Sequence, residues 1–289
     1  MEFRQFVRGQ VSWPRLEAVA RELTARYGYE TAHVRFLDAD NWLSTPFVLD
    51  EEYFVKVISR QNSLVHAVFT AGRNIGAFSA GTEGFFEHFG TPYEMAEHEL
   101  AATERMRAVG VNAPEPVEAL EVDGLGVVVL EYLPEFRPLD ELDADREREL
   151  APDLFRGLAT MHDNGLAHGD LRAENVLLLG DDLYFIDATS VRGDEAADGS
   201  PPPVAGPASE SARRYDLACG LAALAPLIGA RDAVAAARTA YPVEDLLGAR
   251  EYLDFVNVRP DHDFDGPGLK GEIEHRVADD TAGDASGTV

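Results

Sequence analysis

The chain has 289 residues, of which 45% are hydrophobic, enough for one large domain or two lobes with a core. Its 52 acidic and 25 basic residues give a formal net charge of −27, which disfavours nonspecific nucleic-acid binding. The sequence contains no run of about 18 apolar residues, and Met1–Gln5 lacks a signal-peptide pattern. These features predict a cytoplasmic protein with no membrane segment. Cys219 stands alone, which excludes an internal disulfide, and its Ala/Leu-rich surroundings predict an inert core thiol.

The net charge also indicates the salt concentration in which the protein works. Self-repulsion would destabilise this chain at ordinary ionic strength, whereas about 1 M salt shortens the Debye length to roughly 3 Å. We therefore expect adaptation to a high-salt cytoplasm, as in a halophilic archaeon. Lysine has nearly disappeared: only Lys56 and Lys270 occur, and every other basic residue is arginine. Because a planar guanidinium cannot replace a compact ammonium beside a phosphate, a retained lysine indicates chemistry. Lys270, near the acidic C-terminal stretch, lacks such a context and is expected to be solvated.

Apolar periodicity and turn residues predict alternating helices and strands. The predicted helices are 12–27, 93–109, 143–161 and 216–227, and the predicted strands are 31–37, 45–49, 52–58, 126–130, 176–179 and 183–186. Residues 59–92 form an insertion with a short amphipathic helix over 63–71 and several phenylalanines among glycines. These aromatics either pad the neighbouring sheet or form a docking surface for a partner.

The most informative stretch is His168-Gly-Asp170-Leu-Arg172-Ala-Glu-Asn175, followed by a strand, a turn at 180–182, a second strand and Asp187. The two ends of such a hairpin lie side by side, so Asn175 and Asp187 are expected to be neighbours. This cassette resembles the catalytic segment of the protein-kinase-like superfamily. The resemblance implies an α+β, bilobal fold, with an antiparallel sheet and helix in the small lobe and a mostly helical large lobe.

Roles in phosphate transfer from ATP follow from the resemblance. Asp170 is expected to orient the acceptor hydroxyl, and Asn175 and Asp187 to hold Mg²⁺. Arg172 either reaches the γ-phosphate or is a surface arginine. A non-catalytic, decayed domain of the same fold is the alternative for the whole cassette.

The resemblance also implies a nucleotide side of the site. Lys56 lies in a strand similar to V-A-I-K and is expected at the α/β-phosphates, with Glu99 as its partner, although Glu97 and Glu104 compete for that role. No GxGxxG is present. A polar turn with Ser44 is expected to reach the phosphates, or is an ordinary hairpin turn. Backbone groups of Glu131 and Leu133 are expected to meet the adenine edge.

Departures from the protein-kinase pattern indicate which branch of the superfamily the chain resembles. Gly169 replaces the arginine of H-R-D, Asp187-Ala-Thr replaces D-F-G, and no A-P-E follows, which predicts an enzyme not gated by activation-loop phosphorylation. The segment from Glu99 to Pro114 is similar to that of RIO, Bud32 and aminoglycoside-phosphotransferase groups, and 186–191 favours RIO. The expected function is an atypical serine/threonine protein kinase. A small-molecule kinase and a nucleotide-binding scaffold or slow ATPase are the alternatives, so the acceptor is either a protein or a small hydroxylated molecule.

The resulting organisation is a helical cover (1–30), a small nucleotide lobe (31–131), a large catalytic lobe (132–270) and a disordered acidic tail (271–289). Residues 191–212 are expected to form a loop. Asp216 either braces the catalytic loop or caps a helix. The acidic run 261–265 superficially resembles a metal site but is expected to be solvated.

Overall fold

The computed structural model describes residues 11–37, 44–60, 89–187, 210–257 and 263–286. The helices are α1 (Trp13–Arg26), α2 (Pro92–Ala108), α3 (Ala144–Asp163), α4 (Glu210–Ile228), α5 (Ala230–Ala237), α6 (Val243–Arg250), α7 (Leu253–Asn257) and α8 (Gly266–Ser286). The strands are β1 (Val34–Phe36), β2 (Thr45–Leu49), β3 (Tyr53–Ile58), β4 (Pro116–Val122), β5 (Leu125–Glu131), β6 (Arg137–Pro138), β7 (Val176–Leu179) and β8 (Asp182–Phe185). The predicted α+β class is confirmed.

The N-terminal lobe is an antiparallel sheet in the order β1-β2-β3-β5-β4, with a helix on each face. Along β5, Val127 and Val129 join the cluster that includes residues of α1. Val128 and Leu130 join the cluster that includes residues of α2. A strand covered on both faces has no polar side, which explains why β5 is apolar up to its exposed last residue, Glu131.

The start of α2 is fixed against β5. Thr91 and Glu94 form a capping box: the Thr91 hydroxyl accepts from the Glu94 N–H at 3.1 Å, and Glu94 Oε2 accepts from the Thr91 N–H at 3.2 Å. Gly126 of β5 lies against this helix start, and a Cβ added there would lie 2.0 Å from the carbonyl oxygen of Pro92. The close backbone approach holds α2 across the sheet, with Glu99 on its buried side.

The C-terminal lobe packs α3 to α8 around one apolar core and adds a small sheet, β6-β7-β8. Its centre contains Phe155 and Leu158 of α3 and Leu217 and Leu221 of α4, all of them buried. Cys219 is buried in α4 of the same core. Among the helices in the described ranges, none has the length and apolarity to cross a membrane.

Several predictions need correction or fall outside the described residues. The disordered tail predicted from 271 is wrong for 271–286, which continue α8. This helix is held because Leu269 and Ile273 are buried in the large-lobe core. Lys270 is not simply solvated, since its Nζ pairs with Asp254 at 2.6 Å. The insertion prediction falls mostly on 61–88, outside the described residues, but Phe89 packs in the α2 cluster.

Two further predictions concern the second half of the chain. The loop predicted over 191–212 lies outside the described residues as far as 209, and 210–212 belong to α4. The prediction that the helix begins at Asp216 was therefore wrong, because buried Ala212 and Tyr215 extend its apolar face towards the N-terminus. In the acidic run, Asp263 and Asp265 are exposed, and Asp265 Oδ1 accepts from the Gly268 N–H at 3.0 Å, an ordinary helix start.

Candidate active site

A buried ion cluster joins three segments of the chain that are distant in sequence. Lys56 of β3 places its Nζ 2.9 Å from Oε1 of Glu99 on α2 and 2.7 Å from Oδ1 of Asp187, which follows β8. The side chains of Lys56 and Glu99 are 4% and 2% exposed, so little water screens this pair. The structure thus selects Glu99 as the partner of Lys56 from the three candidate glutamates.

The protonation of the cluster follows from burial and from its three charges. Burial by itself favours neutral Lys56, but Asp187 and Glu99 outweigh it and hold the pKa of the Lys56 ammonium above its usual value. Burial also favours a protonated Asp187, yet Lys56 outweighs it and keeps the pKa of Asp187 below normal. The pKa of Glu99 is raised, because burial and the charge of Asp187 exceed the attraction of Lys56. Lys56 and Asp187 are therefore the firmly charged members.

The β7–β8 hairpin places the backbones of the two predicted metal residues, Asn175 and Asp187, next to each other. Val176 pairs with Phe185, and the Ile186 N–H donates to the Asn175 carbonyl at 3.0 Å, which closes the hairpin next to Asp187. The Asn175 side-chain amide donates to the backbone carbonyl of Asp170 at 2.9 Å. Because a carbonyl only accepts, the Asn175 NH₂ faces Asp170 and its oxygen lies on the other side of the amide. The amide oxygen of Asn175 and the carboxylate of Asp187 are hard donors that fit Mg²⁺.

His168 links the catalytic loop to the residue before Asp187. Its Nε2 lies 2.8 Å from the Ile186 carbonyl, so Nε2 carries the proton and donates. Its Nδ1 then accepts from the Asp170 N–H at 3.4 Å. Asp187 itself has φ = 63°, in the left-handed region that Asp tolerates better than most residues. His168 thereby connects the backbone positions of Asp170 and Asp187.

Asp216 holds the catalytic loop by its backbone. Its Oδ1 accepts from the Gly169 N–H at 2.7 Å, and its Oδ2 accepts from the His168 N–H. Asp216 is fully buried and is the seventh residue of α4, so it is not a helix cap. Gly169 has φ = 80°, a conformation that glycine adopts without strain. The loop-bracing interpretation of Asp216 is confirmed. The positive φ also explains why residue 169 is a glycine and not an arginine.

Two residues that sequence reasoning missed support Asp216. His162 Nε2 lies 3.3 Å from Asp216 Oδ2, and the Tyr241 hydroxyl lies 2.9 Å from His162 Nδ1. His162 follows Met161, the last apolar residue of the predicted helical stripe, and a polar residue on that buried side was the available signal. Tyr241 lies between α5 and α6, and no motif marked it.

Arg172 lies beside the expected catalytic aspartate. Its Nη1 pairs with Glu174, and its Nε is 3.6 Å from Oδ2 of Asp170. The guanidinium also helps to lower the pKa of Asp187. Arg172 therefore lies in the charge environment of both aspartates, and its contact with the γ-phosphate stays a prediction.

The residues expected to contact the nucleotide differ in whether their polar groups already have hydrogen-bond partners. Ser44 is 5% exposed, and its Oγ has no hydrogen-bond partner among the described residues. The Glu131 N–H donates to the Glu115 carbonyl at 2.8 Å and is therefore engaged. Leu133 is buried, and its N–H donates to no backbone carbonyl among the described residues. Since buried polar groups normally have partners, Ser44 and Leu133 are the better candidates for ligand contacts.

Part of the chain is similar in sequence to known proteins. Residues 88–195 match the family model of the RIO domain, a segment that includes Glu99, the catalytic loop and Asp187. The KEOPS complex subunit Bud32 of Pyrococcus abyssi (strain GE5 / Orsay) is 30% identical over 98 residues, 32% of this chain. That match covers 43% of the relative, so the chain matches less than half of its length.

The overall architecture extends beyond that segment. The crystal structure of aminoglycoside-3'-phosphotransferase of type VIII covers 84% of this chain and 99% of its own, with a TM-score of 0.51 and 17% identity. The chain has a protein-kinase-like fold. At this identity the likeness concerns the fold, whereas the RIO match concerns the segment that carries the cassette. Together they support a kinase-like phosphotransferase.

Proposed function

We propose that this chain is an atypical serine/threonine protein kinase of the RIO/Bud32 type, which transfers the γ-phosphate of ATP to a hydroxyl with the aid of Mg²⁺. The observation that carries the proposal is the contact of Lys56 with both Glu99 and Asp187. A buried lysine held by two carboxylates from separate segments is a costly arrangement for structure alone. Phosphate binding explains it, because the ammonium is then held ready for an anionic ligand.

The residues of the chain divide the work between the two substrates. Glu99 fixes the Lys56 ammonium, which binds the α/β-phosphate oxygens. Asp170 orients the acceptor hydroxyl and accepts its proton as the new O–P bond forms and the bond to the β-phosphate oxygen breaks. Arg172, beside Asp170, attracts the γ-phosphate. Asn175 and Asp187 would hold magnesium, which when bound would neutralise part of the phosphate charge.

The adenine end is assigned to the segment after β5. The N–H of Leu133, a buried residue, supplies a donor for an adenine nitrogen, and the buried hydroxyl of Ser44 supplies a donor on the phosphate side. The N–H of Glu131 is not assigned to adenine, since it already donates to the Glu115 carbonyl.

Support for an ungated enzyme comes from the catalytic loop. Asp216 fixes the backbone of His168 and Gly169, with a glycine and not an arginine at the position before Asp170. The loop geometry therefore needs no phosphate elsewhere to complete it. We propose that activity does not depend on prior phosphorylation of the chain and that the protein works in the cytoplasm.

The test is transfer from γ-labelled ATP in molar KCl, offered separately to extract proteins and to a panel of hydroxylated metabolites. Wild type is compared with Asp170→Ala and with Asp181→Ala, which removes a side chain that is 95% exposed in the hairpin turn. The proposal expects label in protein, lost in Asp170→Ala and kept in Asp181→Ala. Label confined to metabolites identifies a small-molecule kinase. Nucleotide binding without transfer identifies a scaffold, and phosphate release without transfer identifies a slow ATPase.

A further inference from the structure

A chain of polar contacts runs from the last helix to the catalytic loop. Arg238 donates to Asp280 of α8 at 3.0 Å and to the Tyr241 carbonyl at 2.6 Å. From there the Tyr241 hydroxyl meets His162, and His162 meets Asp216, whose carboxylate holds the catalytic loop. Tyr241, His162 and Asp216 are each at most 7% exposed. Their contacts are therefore made in a medium where an unsatisfied polar group is costly.

The hydrogen bonds from Tyr241 through His162 to Asp216 all donate in the same direction. The carboxylate of Asp216 only accepts, so His162 Nε2 must carry a proton. In the neutral imidazole, Nδ1 then has a lone pair and accepts from the Tyr241 hydroxyl. Burial, with the charge of Asp216, raises the pKa of Tyr241, so its hydroxyl keeps the proton that it donates. Tyr241 thereby selects the histidine tautomer that can serve Asp216.

We propose that Tyr241 is a positioning residue for phosphate transfer: its hydroxyl fixes His162, and through His162 it fixes the Asp216 carboxylate that holds His168 and Gly169. This assignment rests on the proposed kinase function. Tyr241 touches neither substrate, so its removal disturbs the placement of Asp170 and leaves nucleotide affinity nearly unchanged. Arg238, which ties Tyr241 to α8, serves the same purpose more weakly.

The variant Tyr241→Phe removes only the hydroxyl. Its matched control is Tyr252→Phe, a buried tyrosine of the same core whose ring packs against Tyr215. We expect Tyr241→Phe to lower kcat about tenfold, with KM for ATP changed by less than about twofold. Amide hydrogen exchange should accelerate in the peptide that contains His168 and Gly169, and the Tyr252→Phe control should leave kcat and this exchange unchanged.

A kcat equal to wild type in Tyr241→Phe, or an equal loss in both tyrosine variants, overturns the proposal. If Tyr241→Phe does not fold, Arg238→Gln takes its place in the test, because this variant keeps the Tyr241 hydroxyl. We then expect a smaller loss of kcat and faster amide exchange in the loop. No change in either quantity overturns the proposal. If wild type transfers no phosphate, the kinase function fails, and exchange alone decides the positioning claim. Unchanged exchange in the peptide with His168 and Gly169 then overturns it, and faster exchange confined to that peptide supports it.

Discussion

Gly126→Ala tests how the small lobe holds Glu99 in place. The added Cβ would lie 2.0 Å from the Pro92 carbonyl oxygen and 2.9 Å from the Tyr93 backbone nitrogen. Both neighbours are backbone atoms at the start of α2, so no side chain can rotate away. Since real Cβ contacts are essentially never shorter than 3.0 Å, α2 and β5 must separate by about 1 Å. We expect a loss of about 3 kcal/mol in the free energy of unfolding, the upper part of the range for overpacked cores.

The displacement should also reach the site. Glu99 lies two turns into α2, and its 2.9 Å contact with Lys56 has no slack for a shift of this size. Urea unfolding in molar KCl measures the stability loss, and transfer from labelled ATP measures the functional one. The control is Gly271→Ala on the exposed side of α8, where a Cβ meets nothing within 4 Å. Alanine should stabilise that helix by about 0.5–1 kcal/mol. Stability within about 0.5 kcal/mol of wild type in Gly126→Ala would refute the close-approach argument.

Three other predictions use matched comparisons. Lys56→Met should lower phosphate transfer by at least about 100-fold, whereas Lys270→Met, at the other lysine, should leave it unchanged; equal effects would contradict the role of Lys56. Burial, with Arg105 nearby, lowers the pKa of His98 to about 4. The unfolded chain therefore binds the extra proton between pH 4 and 6.5, and the free energy of unfolding should fall as the pH drops through that window, by on the order of 3 kcal/mol in full. His98→Gln should flatten this slope and the exposed His275→Gln should not, as urea titrations at several pH values would show; parallel slopes in all three proteins would refute it. Finally, because the net charge is −27, the melting temperature should rise as KCl increases to molar levels, and a melting temperature independent of KCl would exclude charge screening as a source of stability.

The sequence predicted what local pattern determines. The hairpin around Asn175 and Asp187, the strand of Lys56 and the helix of Glu99 follow from apolar periodicity and turn residues. What it could not predict depends on distant contacts. The order of the tail followed from burial of Leu269 and Ile273 in the core, which composition does not reveal.

The support of the catalytic loop shows the same limit. Asp216 was identified by its resemblance to a bracing residue. Its partner His162 lies 54 positions before it in the sequence, and Tyr241 lies 25 positions after it. Single side chains that meet across a folded core leave no local pattern. The start of α4 was misplaced for a related reason, because its first turns are fixed by packing of Ala212 and Tyr215.

The 2.7 Å contact between Lys56 and Asp187 links the affinities of two ligands. A cation that binds Asp187 withdraws a carboxylate from the ammonium, and an anion that binds Lys56 withdraws the ammonium from the carboxylate. Each ligand thus breaks the ion pair that the other would have to break, and the second to arrive binds more tightly than it would alone. By thermodynamic reciprocity both affinities increase by the same factor. If the proposed function holds, nucleotide affinity measured in a chelator is therefore expected to be lower than the affinity with the metal present.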